Sequence, residues 1–286
     1  MVKTIGNPLS WGVRRLGLAG HGIAESAAHM GSRDATPPQV RQIGTADLGA
    51  ALRLGLDDFL ALRSDALMVC LLYPVIGLAL VWAALDARLL PLVFPLVSGF
   101  ALLGPLAAVG LYEMSRRREA GQPAGWDAAL SVLRAPALGA IVTLGIALLG
   151  LFLIWMLAAQ YIYAATLGPE PPASLGAFLT ETLTTGAGWA MIVIGTATGF
   201  VFAALVLSIS VVSFPMLLDR DPGLPVAVVT SVRVARENPR TVAVWGLIVA
   251  TSLVLGALPA FLGLAVVMPV LGHASWHLYR RAVARG

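Results

Sequence analysis

TVAVWGLIVATSLVLGALPAFLGLAVVMPVLGHASWHLY, residues 241–279, decides the fold. It holds 39 residues without one Asp, Glu, Lys or Arg. As a single α-helix it would measure about 58 Å, nearly twice the ~30 Å hydrocarbon core of a bilayer. Gly256, Pro259 and Gly263 cluster near its middle. Proline has no N–H to donate and its ring collides with the preceding turn. The stretch therefore reads as two spanning helices, Thr241–Ala257 and Ala260–Tyr279, joined by a tight turn.

Four more uncharged apolar runs lie upstream, at Leu67–Leu85, Leu89–Tyr112, Ala137–Leu167 and Trp189–Leu218. A spanning helix needs roughly 20 apolar residues. Only 12% of the chain is charged, against about 25% in soluble domains, and mean hydropathy is +0.85. The chain reads as an all-α integral membrane protein with six transmembrane helices arranged as three helical hairpins.

Charge sets the orientation. With six spans, every one of the 19 Lys and Arg residues except Arg88 falls on the side that carries both termini. Positive loops stay cytoplasmic. A fifth span without a sixth would put Arg280, Arg281 and Arg285 outside, which the bias opposes. Gly168–Gly188 contains no Lys or Arg and reads as the external loop. The basic residues stand in short loops beside apolar runs, so the pI of 9.7 reflects membrane topology and not nucleic-acid binding.

An amphipathic segment precedes each hairpin. In the first, Thr45 suits an N-cap and Asp47 the helix dipole. Leu48, Leu52, Leu56, Phe59 and Leu60 form its apolar stripe, with Arg53, Asp57, Asp58 and Arg63 opposite. Trp126–Arg134 and Val226–Glu237 are the others, and all three read as surface helices. Returning helices carry prolines at 95 and 105, then 215, then 269, which makes a loose triplication. Residues 1–44 read as a flexible cytoplasmic tail, 45–281 as the helical membrane domain and 282–286 as a short cytoplasmic end.

The chemistry on offer is thin. His273 and His277, at i and i+4, share a helical face, and Glu113 could complete a metal site with them. Two imidazoles without a dedicated third donor bind weakly, so an interfacial belt with Trp276 and Tyr279 is the expectation. Glu113 and Arg116 are spaced for a local ion pair. Ser208, Ser210 and Ser213 could line a polar path, but serines in helices bond the i−4 carbonyl more often. Asp219, Arg220 and Asp221 read as solvated charges capping a helix end. Gly195 and Gly199 have the spacing of close helix packing. Cys70 is the single cysteine, which excludes an intrachain disulfide and thiolate metal clusters. The sequence has no P-loop, HExxH or dinucleotide-binding turn, so no catalytic residue, cofactor or metal is assigned.

GFALLGPLAAVGLYEMSRR (Gly99–Arg117), SISVVSFPMLLDRD (Ser208–Asp221) and MPVLGHASWHLYR (Met268–Arg280) together resemble the DUF2189 family of bacterial integral membrane proteins. The resemblance runs over roughly Ile43–Arg281 and implies the bacterial inner membrane, with no established function. Some members carry the label of cytochrome c oxidase subunit I. That chemistry needs several histidines on spanning helices, whereas His21 and His29, half of the four histidines, lie in the tail. The functional expectation is a non-enzymatic role in membrane organisation or complex assembly, with membrane lipids and a membrane protein as partners. A transporter or channel for a small solute is the alternative, and a haem- or metal-binding membrane protein the third.

Overall fold

The computed structural model describes residues 38–84 and 89–284. Residues 85–88, at the junction of the first two apolar runs, the tail before residue 38 and the last two residues lie outside the described residues. Among the described residues the protein is all-helical and has no strand.

Helix α1 (Thr45–Ala61) opens with the Gly44 N–H donating to the Asp47 carboxylate at 2.9 Å, an arrangement that satisfies one of the unpaired donors at a helix start. At Leu62 the path turns by 96° into α2 (Arg63–Cys70) and then α3 (Leu72–Ala84). The run expected as one second span is broken. A 3-10 turn at Leu90–Leu92 leads into α4 (Val93–Leu102), α5 (Gly104–Ala107) and α6 (Val109–Glu119). Pro105 sits in the first turn of α5, where its missing N–H costs least.

α7 (Trp126–Ser131) continues as a 3-10 turn to Arg134, and α8 (Leu138–Thr166) follows. The segment expected as an external loop contains a helix, α9 (Leu175–Thr184), capped by the Ser174 hydroxyl on the Ala177 N–H. Next come α10 (Gly186–Ser210), α11 (Ser213–Arg220) and α12 (Leu224–Glu237). The 241–279 stretch divides near its glycines, into α13 (Pro239–Ala257) and α14 (Leu264–Ala282). Ala260 and Phe261 take φ of 50° and 64° in the turn. A Cβ on Gly263 would lie 2.8 Å from the Gly256 Cα, so only glycine lets the two helix ends close up.

Among the described residues three helices are long and apolar enough to cross a membrane, Leu138–Thr166, Gly186–Arg220 (α10 with α11) and Pro239–Ala257, or four if the bent pair Thr45–Ala61 and Arg63–Ala79 is one span. Their outer faces are apolar. Ile146, Leu153 and Leu157 of α8 and Phe200 and Val201 of α10 are all exposed. The close-packing reading of Gly195 and Gly199 holds only in part. Gly199 lies against the Trp155 indole, while a Cβ on Gly195 would meet nothing.

The amphipathic segments pack as a ring. α12 lies on α11, which precedes it, and α7 lies on α6, which precedes it. The first amphipathic helix, α1, lies on the last helix, α14. Chain connectivity makes the first two junctions. The third is made by backbone hydrogen bonds between the two ends of the domain: Arg41 N–H to Ala282 O at 2.8 Å and Ala284 N–H to Gln39 O at 3.0 Å. Two pairs of amphipathic segments are also tied head to tail, α1 to α7 and α12 to α1. Asp65, just beyond α1, accepts from the Trp126 N–H of α7 at 3.0 Å. Asn238, at the end of α12, accepts from Ile43 N–H at 2.8 Å and donates to Arg41 O at 3.1 Å.

Each crossing in this ring uses small residues. A Cβ on Gly55 of α1 would lie 2.5 Å from the Ala274 backbone nitrogen of α14. One on Gly110 of α6 would lie 3.0 Å from the Ala129 Cβ of α7. Between α11 and α12 the Ser213 hydroxyl donates to the Ala227 carbonyl at 3.1 Å. Close approach of backbones maximises dispersion contacts where lipid supplies no hydrophobic drive.

Candidate functional site

The helix ends inside this ring enclose two polar clusters. The first joins α1, α6 and α14. Leu48, Ala51, Gly55 and Asp58 recur at i, i+3, i+7 and i+10, so all four point along one face of α1, and all are buried. Asp58, expected on the polar face, is thereby carried into the packing and is 3% exposed. Its Oδ2 accepts from the Ser115 hydroxyl at 2.6 Å and from His277 Nε2 at 2.8 Å. Its Oδ1 takes the Arg118 guanidinium. Ser115 Oγ lies 2.7 Å from His273 Nδ1. Because the hydroxyl proton is spent on Asp58, this contact places a hydrogen on His273 Nδ1.

Burial alone would push the Asp58 carboxyl up. The His277 and Ser115 hydrogen bonds, the His277 charge and the Arg118 guanidinium outweigh it and hold the group below its ordinary 3.8. Asp58 is thus an ionised carboxylate held by three donors, Ser115, His277 and Arg118.

The second cluster lies one turn further along. Tyr279 OH donates to Asp219 Oδ2 at 2.6 Å. Arg280 bridges Asp219 and Glu119 at 3.1 and 3.0 Å. Trp276 Nε1 donates to Glu119 at 3.0 Å, and the Arg280 guanidinium lies 5.8 Å from the centre of its ring. Arg220 reaches the Ala284 carbonyl at 2.6 Å. Asp219 and Arg220 are therefore tied to the last helix and the chain end, and are not merely solvated charges at a helix end.

The interfacial belt expected of His273, His277, Trp276 and Tyr279 is not what forms. His273, Trp276 and Tyr279 are each no more than 1% exposed and face neighbouring helices. Four aromatic and imidazole side chains on a helix packed from several sides find partners inside the protein. Glu113 does not converge on the histidines. It holds Arg116 at 2.7 Å and Arg117 at 2.8 Å, the local pairing its spacing predicts. Burial would raise its carboxyl, and the two guanidiniums more than reverse that, holding it below 4.5. Among the described residues no group of three or more His, Cys, Asp or Glu side chains is placed to hold a metal ion. Ser208 and Ser210 donate to the carbonyls of Ala204 and Val206 within their own helix, and the Ser213 hydroxyl lies between the Ile209 carbonyl of α10 and the Ala227 carbonyl of α12, so all three hydroxyls are occupied by backbone carbonyls.

Comparison with known proteins adds one finding. Residues 93–219 match the DUF2189 family. Its members are described as predicted integral membrane proteins, in agreement with the apolar helices here. The DUF2189 match holds Gly99–Arg117 and all but the last two residues of Ser208–Asp221, while Met268–Arg280 falls outside it. Of the first cluster, Ser115 and Arg118 lie within the DUF2189 match, and Asp58, His273 and His277 outside. No curated protein and no solved structure matches the chain.

Proposed function

We propose that this is a six-span protein of the bacterial inner membrane with cytoplasmic termini. In this reading the ring of amphipathic helices is a non-enzymatic platform at the cytoplasmic surface that organises lipid or holds a partner membrane protein.

Hydrogen bonds between distant parts of the chain support the span count. Two groups that bond directly lie on one side of the bilayer. Asp65 bonds Trp126, so the chain crosses an even number of times between them. Asn238 bonds Ile43 and Arg41, and Arg41 bonds Ala282, so the path from 238 to 282 is even as well. Arg41 and Ala282 enclose the whole domain, so the middle part is also even. Two crossings in each third satisfy all three conditions and the charge asymmetry together.

The platform reading rests on one observation: the three amphipathic segments turn outward both apolar and basic side chains. Leu56 and Leu60 of α1, Trp126, Leu130 and Leu133 around α7, and Val229 of α12 are exposed. Arg53, Arg134 and Arg236 stand among them, exposed too. Apolar residues flanked by arginines suit an anionic membrane surface or a partner seated on it. Photo-crosslinking residues at Leu56, Val229 and, as reference, Leu153 on the lipid face of α8 test this in cells. Crosslinks to a defined protein or lipid at the ring positions and not at Leu153 are expected. The same bulk-lipid pattern at all three would overturn the platform reading.

Transport of a small solute is the second reading, and the Asp58 cluster is the observation that favours it. Ionisable groups buried between membrane helices mark ion and proton paths in other systems. Proteoliposomes that acidify on solute addition, and cease to with Asp58→Asn, would carry that reading; a tight membrane with no flux would end it.

A further inference from the structure

A cleft of about 510 Å³ opens on the outer side of the ring, lined by Arg117, Trp126, Asp127, Leu130, Ser131, Leu133 and Arg134. We infer that it binds the headgroup phosphate of an anionic phospholipid. The inference deepens the platform reading, on which it rests, by naming a ligand class at one sector of the ring.

Three observations carry it. The first is charge. Arg134 is exposed and makes no hydrogen bond or ion pair among the described residues. Arg117 is anchored by Glu113 at 2.8 Å and Ser131 at 2.7 Å, which orients its guanidinium along the cleft. Asp127 also lines the cleft and opposes an anion. Counting Glu113 with the two arginines it holds, three guanidiniums (Arg116, Arg117 and Arg134) stand against two carboxylates (Glu113 and Asp127) and leave one net positive charge, which the one negative charge of a phosphodiester matches. Guanidinium groups recognise phosphate with paired N–H donors.

The second is the wall. Trp126, Leu130 and Leu133 are 45, 53 and 66% exposed. Soluble phosphate has no use for an apolar wall, whereas a lipid lays its glycerol and upper acyl chains on one. Tryptophan is at home at headgroup depth. The third is position. The candidate span α8 begins at Leu138, just past Arg134. The cleft therefore lies where a span leaves the hydrocarbon and phosphates concentrate.

Native mass spectrometry of the full chain, purified in mild detergent and titrated with phosphatidylglycerol or phosphatidylcholine, tests this. Phosphatidylglycerol is expected to be retained, and Arg134→Gln to lower its retention at least fivefold. Arg134 has no partner to lose, so the variant keeps its fold, and an unchanged thermal midpoint verifies that. Arg236→Gln, on α12, should leave retention unchanged, and Asp127→Asn should raise it. Equal retention by wild type and Arg134→Gln overturns the site. So does an equal loss with Arg236→Gln, which would mean diffuse surface charge, or equal retention of phosphatidylcholine. The readout needs no partner protein and no topology, so the lipid site and the platform can fail separately.

Discussion

Asp58 follows Gly55 by three residues and Ala51 by seven, so the face of α1 that admits Ala274 also brings a carboxylate into the packing. A buried carboxylate is tolerated only when its lone pairs are filled, and Ser115, His277 and Arg118 fill them. Asp58→Ala would leave the Ser115 and His277 groups without their acceptor. The cost of orphaned buried polar groups is about 1–3 kcal/mol. A lowered thermal midpoint in detergent, with the protein still inserted, is expected; an unchanged midpoint would show that the cluster adds nothing to stability. The pH dependence has a definite sign. Asp58 and Glu113 both titrate below their ordinary values of 3.8 and 4.5, so the folded state binds protons less readily than the unfolded one. Their stabilisation is complete above those ordinary values and is lost as pH falls through the lower folded values. Midpoints measured from pH 7 downward should stay level with respect to these groups until the ordinary carboxylate range is passed, and then drop. Asp58→Asn should shrink that drop.

At the scale of the element, the ring depends on how closely helices cross. Gly55→Leu would drive a side chain into the Ala274 backbone, 2.5 Å from where the Cβ would stand. Since backbone cannot yield, α1 must lift from α14. Trypsin cleavage at Arg53 and Arg63 should rise while the spans remain protected, and wild-type resistance would count against the crossing. Gly195→Ala makes the opposite case. Its Cβ would meet nothing within 4 Å, and alanine in place of glycine in a helix is worth roughly 0.5–1 kcal/mol. The variant should match or exceed wild type in thermal midpoint; a clear loss would reveal a helix seated on that face. Of the first amphipathic segment, the sequence-level stripe named Leu48 and Phe59, which are buried, but also Leu56 and Leu60, which are exposed. The stripe followed the largest side chains. The packed face follows the small ones, because the neighbour is another helix at backbone distance.

For the whole molecule, the two ends of the domain act as one junction. Residues 39–41 and 282–284 are hydrogen bonded as α6 is covalently joined to α7 and α11 to α12. A chain with residue 284 linked to residue 39 through a short glycine linker and reopened between Gly121 and Gln122 should insert and fold, with a thermal midpoint within a few degrees of the unpermuted domain. Failure to insert would mean that the third junction is not equivalent to the other two. Topology is tested with cysteines at 125 and 175 in a Cys70→Ala background, probed on intact spheroplasts by a membrane-impermeant thiol reagent. Labelling at 175 alone is expected, and labelling at 125 alone would invert the orientation.

What the sequence determined by itself is what depends on local composition. Apolar runs between charges produce helices fit for a bilayer, and Gly256, Pro259 and Gly263 break the longest run because glycine and proline act on their own backbone. Glu113 and Arg116 pair because four residues of helix bring them together whatever surrounds them. Tertiary structure decided whatever depends on which face meets which neighbour. His273 and His277 became members of a buried hydrogen-bond cluster, not a belt, because α1 and α6 close over the side of α14 that carries them. Asp219 found Tyr279 and Arg280 some 60 residues away. The heptad-like spacing of Leu48, Ala51, Gly55 and Asp58 was present in the chain, but only a partner helix with a small residue at Ala274 turns that face inward. Ring closure between residues 41 and 282 has no local signal at all, since it arises when the last helix returns to the first and backbone groups separated by the whole domain come within hydrogen-bonding distance.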